Sequence, residues 1–386
     1  YVVVAGDDGP NGFEALLSGP RWEDAPDAAE LLHGRPGPDA VTQLIYTSGT
    51  TGEPKGVMHS SNTLFSNIDP YAERLGLGGD DVVLMASPMA HQTGFMYGLM
   101  MPVALGCPAV LLDVWDADRA VELIDDHFVT FTMASTPFLT DLTDRVGARG
   151  GAASLRTFLC AGAPIPGPLV ERAQRELGAN IVSAWGMSEN GAVTTTLLDD
   201  EPSRAAETDG CPLPGAEVKI VDADGAEVPT GATGRLLVRS CSNFGGYLKR
   251  PDLPALDTDG WFDTGDLARI DDGGYIRITG RSKDVIIRGG ENVPVVEIES
   301  LLYRHPAVAQ VALVAIPDER LGERACAVVV PKPGETIDFD AMVEFLLGEQ
   351  MAKNYLPEKL VVLDAMPTTP SGKIQKFRLR EQIADA

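Results

Sequence analysis

The sequence predicts an α/β protein: a large domain of mixed or parallel sheets and helices, a small β-barrel-like subdomain, and a smaller α+β domain at the C-terminal end. Three observations predict it. From about residue 41 to 200, apolar β-type runs alternate with helical patterns, the signature of parallel sheet in α/β layering. After about residue 205, short strands follow one another across Gly- and Asp-rich turns such as Asp222–Gly225. Beyond about residue 283, helices and strands alternate again over roughly a hundred residues. A chain of 386 residues can hold two or three domains with cores of their own. The texture sets a β subdomain from about residue 208 and a separate small domain of roughly a hundred residues at the end.

In the first region the candidate strands are Val41–Tyr46, Val82–Met85, Ala109–Asp113, Val129–Met133, Thr157–Ala161 and Asn180–Ala184. Between them lie helical patterns at Asp118–His127, with Asp116 or Asp118 as the N-cap, and at Pro166–Leu177, with proline in the first turn. The second region offers the strands Ala216–Val221, Gly234–Arg239 and Gly274–Thr279. In the third, Val295–Tyr303 and Phe339–Leu347 read as helices, Val308–Ile316 and Ala325–Val330 as strands, and the tail Ser371–Ile383 ends in a basic turn.

The densest chemistry lies at Tyr46–Gly56, directly after an apolar strand candidate. Four hydroxyls (Thr47, Ser48, Thr50, Thr51) alternate with three glycines (Gly49, Gly52, Gly56) and end beside Lys55. Glycines let a backbone turn tightly and expose its N–H groups, hydroxyls add neutral donors, and the lysine adds a point charge. That combination cradles a polyanion. It is not the P-loop G-x-x-x-x-G-K-S/T: here the lysine follows Glu53-Pro54 and precedes Gly56, and proline resists the helix a P-loop starts. Nor is Gly186–Gly191 a G-x-S-x-G nucleophile elbow, being one residue too long.

Composition narrows the partners. With 31 basic against 56 acidic residues, the formal charge of −25 disfavours nucleic acid and anionic membrane surfaces. The five cysteines are scattered without C-x-x-C spacing, and the five histidines form no H-x-x-x-H pair, which points away from zinc and disulfides and toward a reducing cytoplasm. The longest apolar stretch, Leu99–Leu112, is broken by Pro102, Gly106 and Pro108 and is too short for a transmembrane segment. Tyr1 opens in strand-like sequence without Met or a signal peptide, so the chain reads as a fragment or processed piece.

Four further segments supply parts of nucleotide chemistry. Trp185–Glu189 follows a strand, where open α/β sheets bind ligands; Glu189 suits Mg²⁺ and Trp185 a purine face, or they are a surface glutamate and a core tryptophan. Trp261–Asp266 sets a carboxylate after two aromatics and a glycine, suited to ribose hydroxyls or to a plain turn. Thr279–Asp284 offers the cation Arg281 at a turn, and Pro370–Ile374 puts Lys373 in a short loop where a solvated lysine is the ordinary reading.

Taken in this order, the five motifs resemble the adenylate-forming superfamily of acyl-CoA synthetases, peptide-synthetase adenylation domains and luciferases, over about residues 41–380. The resemblance implies an acyl-CoA synthetase-like fold with a mobile C-terminal domain, and it implies roles residue by residue. Thr47, Ser48, Gly49, Thr50, Thr51 and Lys55 would hold the β- and γ-phosphates of ATP. Gly162-Ala163-Pro164 would lie against the adenine, with Trp185 opposite where the family usually has Tyr. Ser188 and Glu189 match the Thr-Glu pair whose Glu holds Mg²⁺, and Asp266 and Arg281 match the ribose ligands. Lys283 would fall at the domain hinge, dividing a truncated large domain at 1–282, with its β subdomain at about 208–282, from a small domain at 283–386. Gly289-Gly290 would lie on the CoA surface, and Lys373 would bridge the acyl carboxylate and the α-phosphate.

The implied reaction is ATP-dependent activation of a carboxylic acid to an acyl-adenylate and pyrophosphate, then acyl transfer to CoA. Gly186, where acetyl-CoA synthetases carry a pocket-shortening Trp, implies a larger acid. His91, in Pro88–Gly94, matches a pocket-gating position, with a core histidine as the alternative, and Met187 joins the lining. The stretch looks most like medium-chain and cyclohexanecarboxylate-type CoA ligases, so a medium-chain, alicyclic or other fatty acid is expected. A homodimer is compatible with the resemblance. Two alternatives stand beside this reading: a free-standing adenylation enzyme that loads a carrier protein, and an inactive fragment with only nucleotide binding. The second arises because the family's members carry a longer segment ahead of the first motif than the roughly forty residues present here.

Overall fold

Alternation along the strands of the first region builds two cores on opposite faces of one sheet. The computed structural model describes residues 36–47, 54–162, 165–253, 255–282, 284–289, 291–369 and 374–384. Strands β1 (Val41–Thr47) and β2 (Lys55–Ser60) form an antiparallel hairpin that leads into helix α1 (Ser61–Arg74). Then come β3 (Val83–Met85), a π-helix (Thr93–Met100), α2 (Met101–Leu105), β4 (Ala109–Leu111), α3 (Ala117–His127), β5 (Phe131–Ala134) and α4 (Thr136–Arg149). They are followed by β6 (Thr157–Ala161), α5 (Gly167–Leu177), β7 (Asn180–Met187), β8 (Gly191–Thr195), α6 (Ser203–Glu207) and β9 (Cys211–Pro212). The seven-stranded sheet runs β4-β3-β5-β6-β7-β8-β9, parallel as far as β7 and antiparallel beyond it.

Successive residues of each strand point to opposite faces. Leu84, Ala134, Phe158, Cys160 and Ile181 join the core under α3, α4 and α5, whereas Val83, Met85, Phe131, Met133, Leu159 and Val182 join the core under α1 and the π-helix. Many of the expected elements were read at nearly their observed bounds: Val41–Tyr46, Val82–Met85, Thr157–Ala161, Ala216–Val221 and Gly234–Arg239 as strands, Asn180–Ala184 as the start of β7, and the two helices now α3 and α5. Asp116 caps α3 through its side chain, which accepts from the Arg119 N–H. Among the elements that went unread are α1, α4 and the π-helix. Helix α1 contains Pro70, a residue ordinarily confined to the first helical turn, yet Leu64, Ile68, Tyr71 and Ala72 form a buried stripe and Ser60 and Thr63 cap its start reciprocally. In α4 a hydroxyl- and Gly-containing sequence hides a buried face of Phe138, Leu139, Leu142 and Val146. The π-helix has no distinctive period to find.

The β subdomain comprises β10 (Ala216–Val221), β11 (Gly234–Ser240), β12 (Phe262–Ile270) and β13 (Ile276–Arg281), an antiparallel meander in sequence order. Among the described residues it is a four-stranded antiparallel sheet, the kind of small β subdomain that its short strands and Gly- and Asp-rich turns lead one to expect. The last part contains β14 (Ile286–Arg288), β15 (Glu291–Val293), α7 (Val295–Leu302), β16 (Val308–Asp318), β17 (Gly322–Pro331), α8 (Phe339–Gly348), β18 (Lys359–Val362) and α9 (Lys376–Ala384). Its five strands form a sheet with α7 and α8 on one face and α9 on the other. The expected basic turn at the end is therefore helical: Leu379 and Ile383, four apart, seat α9 in the core, and Lys376 reaches Glu299 at 2.7 Å. No described helix is long and apolar enough to cross a membrane, and all five cysteines are free thiols.

Candidate active site

The hydroxyl-rich loop is held at its base by the hairpin. Thr47 and Lys55, the described residues that flank the segment, are paired across β1 and β2. Ser48, Gly49, Thr50 and Thr51 lie outside the described residues. Lys55 places Nζ 5.2 Å from the centre of the Tyr247 ring, within range of a cation–π contact.

Strand β7 delivers Ser188 and Glu189 just past its C-terminal end, in the turn to β8. Asn190 closes that turn by accepting from the Met187 N–H. His59, fully buried on β2, holds it from below: its Nε2 lies 2.8 Å from the Ser188 carbonyl oxygen and its Nδ1 3.0 Å from Thr63 Oγ1. Burial pushes the His59 imidazole below its ordinary value, and the Ser188 carbonyl opposes that shift. Glu189 is 6% exposed, and its Oε1 accepts a hydrogen bond of 2.8 Å from the Tyr247 hydroxyl. Burial first, then the charge and hydrogen bond of Glu189, raise the Tyr247 phenol, so it remains a donor.

Asp266 and Arg281 are cross-strand partners on β12 and β13, with Arg281 Nε 2.9 Å from Asp266 Oδ1. The other oxygen of Asp266 accepts from the Trp185 indole N–H at 2.9 Å. The resemblance assigned all three to one nucleotide, and the fold brings them into direct contact with one another. Of the two readings of Trp185, the structure matches the core tryptophan: the ring is 8% exposed, belongs to the cluster of Val193, Ile220, Leu236 and Val238, and holds Asp266 through its indole N–H.

Gly186 needs correction. A Cβ there would meet the Gly191 carbonyl oxygen at 2.0 Å and Ala192 Cα at 2.6 Å. The space is filled by the backbone of β8, so glycine at 186 serves close strand approach and does not lengthen an acyl pocket. Met187 is partly buried and packs against two hydrophobic clusters, the one that contains Trp185 and the one that contains Phe244 and Phe262. His91 is exposed, which removes the core-histidine alternative; its Nδ1 accepts from the Thr93 N–H as the chain enters the π-helix.

Gly162 ends β6 at φ +93°, a conformation that favours glycine, while Ala163 and Pro164 lie outside the described residues. Gly289 also has positive φ and donates its N–H to the Leu321 carbonyl. Gly290, Lys283 and Lys373 lie outside the described residues. Two residues of the site went unread: Tyr247, in Phe244-Gly-Gly-Tyr, and His59, whose signal was its place four residues after Lys55 on one strand. Among the described residues, no group of three or more His, Cys, Asp or Glu side chains would hold a metal alone. A lone buried carboxylate fits Mg²⁺, which is commonly held by one or two carboxylates and the substrate's phosphates. A cleft of about 400 Å³ between Asn292, Glu297, Gln350 and Tyr355 belongs to the C-terminal part and shares no residue with this site.

Comparison with known proteins identifies the family to which the chain belongs. The profile of the AMP-binding enzyme family matches residues 3–248, and that of the AMP-binding enzyme C-terminal domain matches 297–373. A medium-chain fatty-acid–CoA ligase of Escherichia coli (strain K12) is 40% identical over 349 residues, covering 89% of this chain and 62% of the relative. The chain thus spans less than two thirds of that relative's length. ATP-bound MatB from Rhodopseudomonas palustris is similar in structure at a TM-score of 0.83, with 32% identity and coverage of 91% of this chain and 69% of that one. The apo form of MatB gives a TM-score of 0.68 at 32% identity, over 91% of this chain and 69% of that one.

Proposed function

The chain belongs to the AMP-binding enzyme family, and from that premise we propose that it activates a carboxylic acid with ATP to an acyl-adenylate and then transfers the acyl group to CoA. The observation that carries the reading is the set of contacts around the C-terminal end of β7: Trp185 to Asp266, His59 to Ser188, and Tyr247 to Glu189, with Lys55 over the Tyr247 ring. Ligands of open α/β sheets bind at that end.

A carboxylate is a poor electrophile, so the acid must gain a leaving group. Its attack on the α-phosphorus brings two anions together, and the site must hold fixed positive charge where the negative charge gathers. Lys55 and the hydroxyls of Thr47, Ser48, Thr50 and Thr51 receive the β- and γ-phosphates, which leave as pyrophosphate. Mg²⁺ held by Glu189 would supply charge neutralisation on the phosphates. Asp266 accepts from the ribose hydroxyls and Arg281 orients it, while Lys373 supplies an ammonium between the acid and the α-phosphate. Gly162-Ala163-Pro164 lies along the adenine.

In the second step the small domain, 283–386, turns about Lys283, withdraws Lys373 and presents Gly289-Gly290 to CoA. The higher likeness to ATP-bound than to apo MatB supports reading the described arrangement as the one for adenylation. The 40% identity to a medium-chain ligase, and the methionines Met89, Met96 and Met100 around the π-helix after His91, support a medium-chain or alicyclic acid. The five free thiols suit a reducing cytoplasm. Lys373→Ala tests the division of labour: it should abolish ATP–pyrophosphate exchange while supplied acyl-AMP is still converted to acyl-CoA. Equal loss of both steps would refute the role given to Lys373.

A further inference from the structure

Residues 244–248 zip onto β2 beside Lys55. The Gly245 N–H donates to the Met58 carbonyl at 2.8 Å, the Met58 N–H to Gly246 at 3.1 Å, and the Leu248 N–H to Gly56 at 2.8 Å. Tyr247 forms a bridge with Val57, and its ring stands edge-on to Phe244 at 4.8 Å. The same segment grips Glu189 twice: the Phe244 N–H donates to its carbonyl at 2.8 Å, and the Tyr247 hydroxyl to its Oε1 at 2.8 Å. One aromatic side chain therefore touches both the lysine at the end of the phosphate loop and the carboxylate past β7.

We propose that Tyr247 is a positioning residue for the metal–nucleotide complex: by occupying Oε1 of Glu189 it fixes the carboxylate and leaves Oε2 for a divalent cation carried on the phosphates. This rests on the adenylation reading above. A buried carboxylate with free torsions loses orientation and rotamer entropy when it binds a cation; a hydrogen-bonded one is already set. Outer-shell partners of metal-binding groups typically change metal affinity by about 10–100-fold when removed. The ring contact also restrains the Lys55 side chain, so the two groups that face the phosphates share one support.

The test uses the whole chain and a nonhydrolysable ATP analogue, titrated by calorimetry across a Mg²⁺ series and in EDTA, with Mn²⁺ paramagnetic resonance as the direct report on the metal. Tyr247→Phe keeps the ring packing and the backbone pairing, and its thermal midpoint is measured alongside. The expected result is a rise of about 10–100-fold in the Mg²⁺ concentration needed for half-maximal nucleotide binding, with binding in EDTA unchanged. In a Glu189→Gln background the same change should have no further effect. An unchanged metal midpoint, equal weakening in EDTA, or a full effect in the Gln background would overturn the inference. If wild-type protein binds the metal–nucleotide complex and the Phe variant matches it, only the role of Tyr247 falls. If wild-type protein binds no metal–nucleotide complex at all, the adenylation reading falls with it.

Discussion

Alanine at Gly186 separates two accounts of that position. In the first, 186 faces an acyl pocket, and adding atoms there shortens the acid that fits. In the structure, the new Cβ would lie 2.0 Å from the Gly191 carbonyl oxygen, 2.6 Å from Ala192 Cα and 2.7 Å from Gly191 C. These are backbone atoms with no rotamer to change, and the first is more than an ångström inside ordinary contact. Strand β8 would have to move, yet it is anchored by buried side chains. Asn67 donates to the Asn190 and Ala192 carbonyls at 3.2 and 2.6 Å, and the Tyr97 hydroxyl accepts from the Ala192 N–H at 2.7 Å.

Overpacking of this kind costs about 1–3 kcal/mol. A shift large enough to break one of the anchors adds about 1 kcal/mol, so the upper end of the range is expected. In a domain of this size each kcal/mol lowers Tm by about 1–2 °C. The displaced turn carries Ser188 and Glu189, so activity with every acid should fall together. Calorimetric melting and pyrophosphate exchange with acids of increasing length, on wild-type and Gly186→Ala protein, measure both. An unchanged Tm with a preference moved toward shorter acids would refute the packing argument and restore the pocket.

Lys55→Ala should weaken ATP binding while AMP binding stays the same, and should lower exchange by on the order of 10²–10³; calorimetry with the two nucleotides checks the contrast. Asp266→Asn keeps an oxygen for the Trp185 indole and should cost at most about 1 kcal/mol of stability, because Arg281 is substantially solvated. It should nonetheless weaken AMP binding by about 10–100-fold through the lost charged acceptor. His59 has a folded pKa below its ordinary value of 6.5, so the stability it contributes is present above that value and is lost as pH falls from 6.5 through the lower folded pKa. Melting curves from pH 7.5 to 5 should therefore fall more steeply for wild type than for His59→Gln, which has no such proton to take up.

Strands and helices with a clear period were legible: Thr157–Ala161 alternates between two cores, and α5 shows Leu169, Val170, Ala173 and Leu177 on one face. Elements whose stability comes from packing were not. Helix α1 tolerates Pro70 because its buried stripe and capping hydroxyls outweigh one missing hydrogen bond. The residue types of the site were legible because charge and hydroxyl density near glycine has few other uses. Their supports were hidden, since Trp185 with Asp266, and Tyr247 with Glu189, are 81 and 58 residues apart in the chain. Gly186 misled for the same reason: its meaning lies in the backbone of a neighbouring strand, which composition does not record.

The central claim is that this fold activates a carboxylic acid on ATP. Acid-dependent exchange of labelled pyrophosphate into ATP measures that step alone, without CoA. With Mg²⁺ and a panel of aliphatic and alicyclic acids, the account predicts exchange that requires the acid, is strongest with medium-length chains, and disappears in Lys373→Ala. Absence of exchange with every acid, in protein that melts cooperatively, would contradict it.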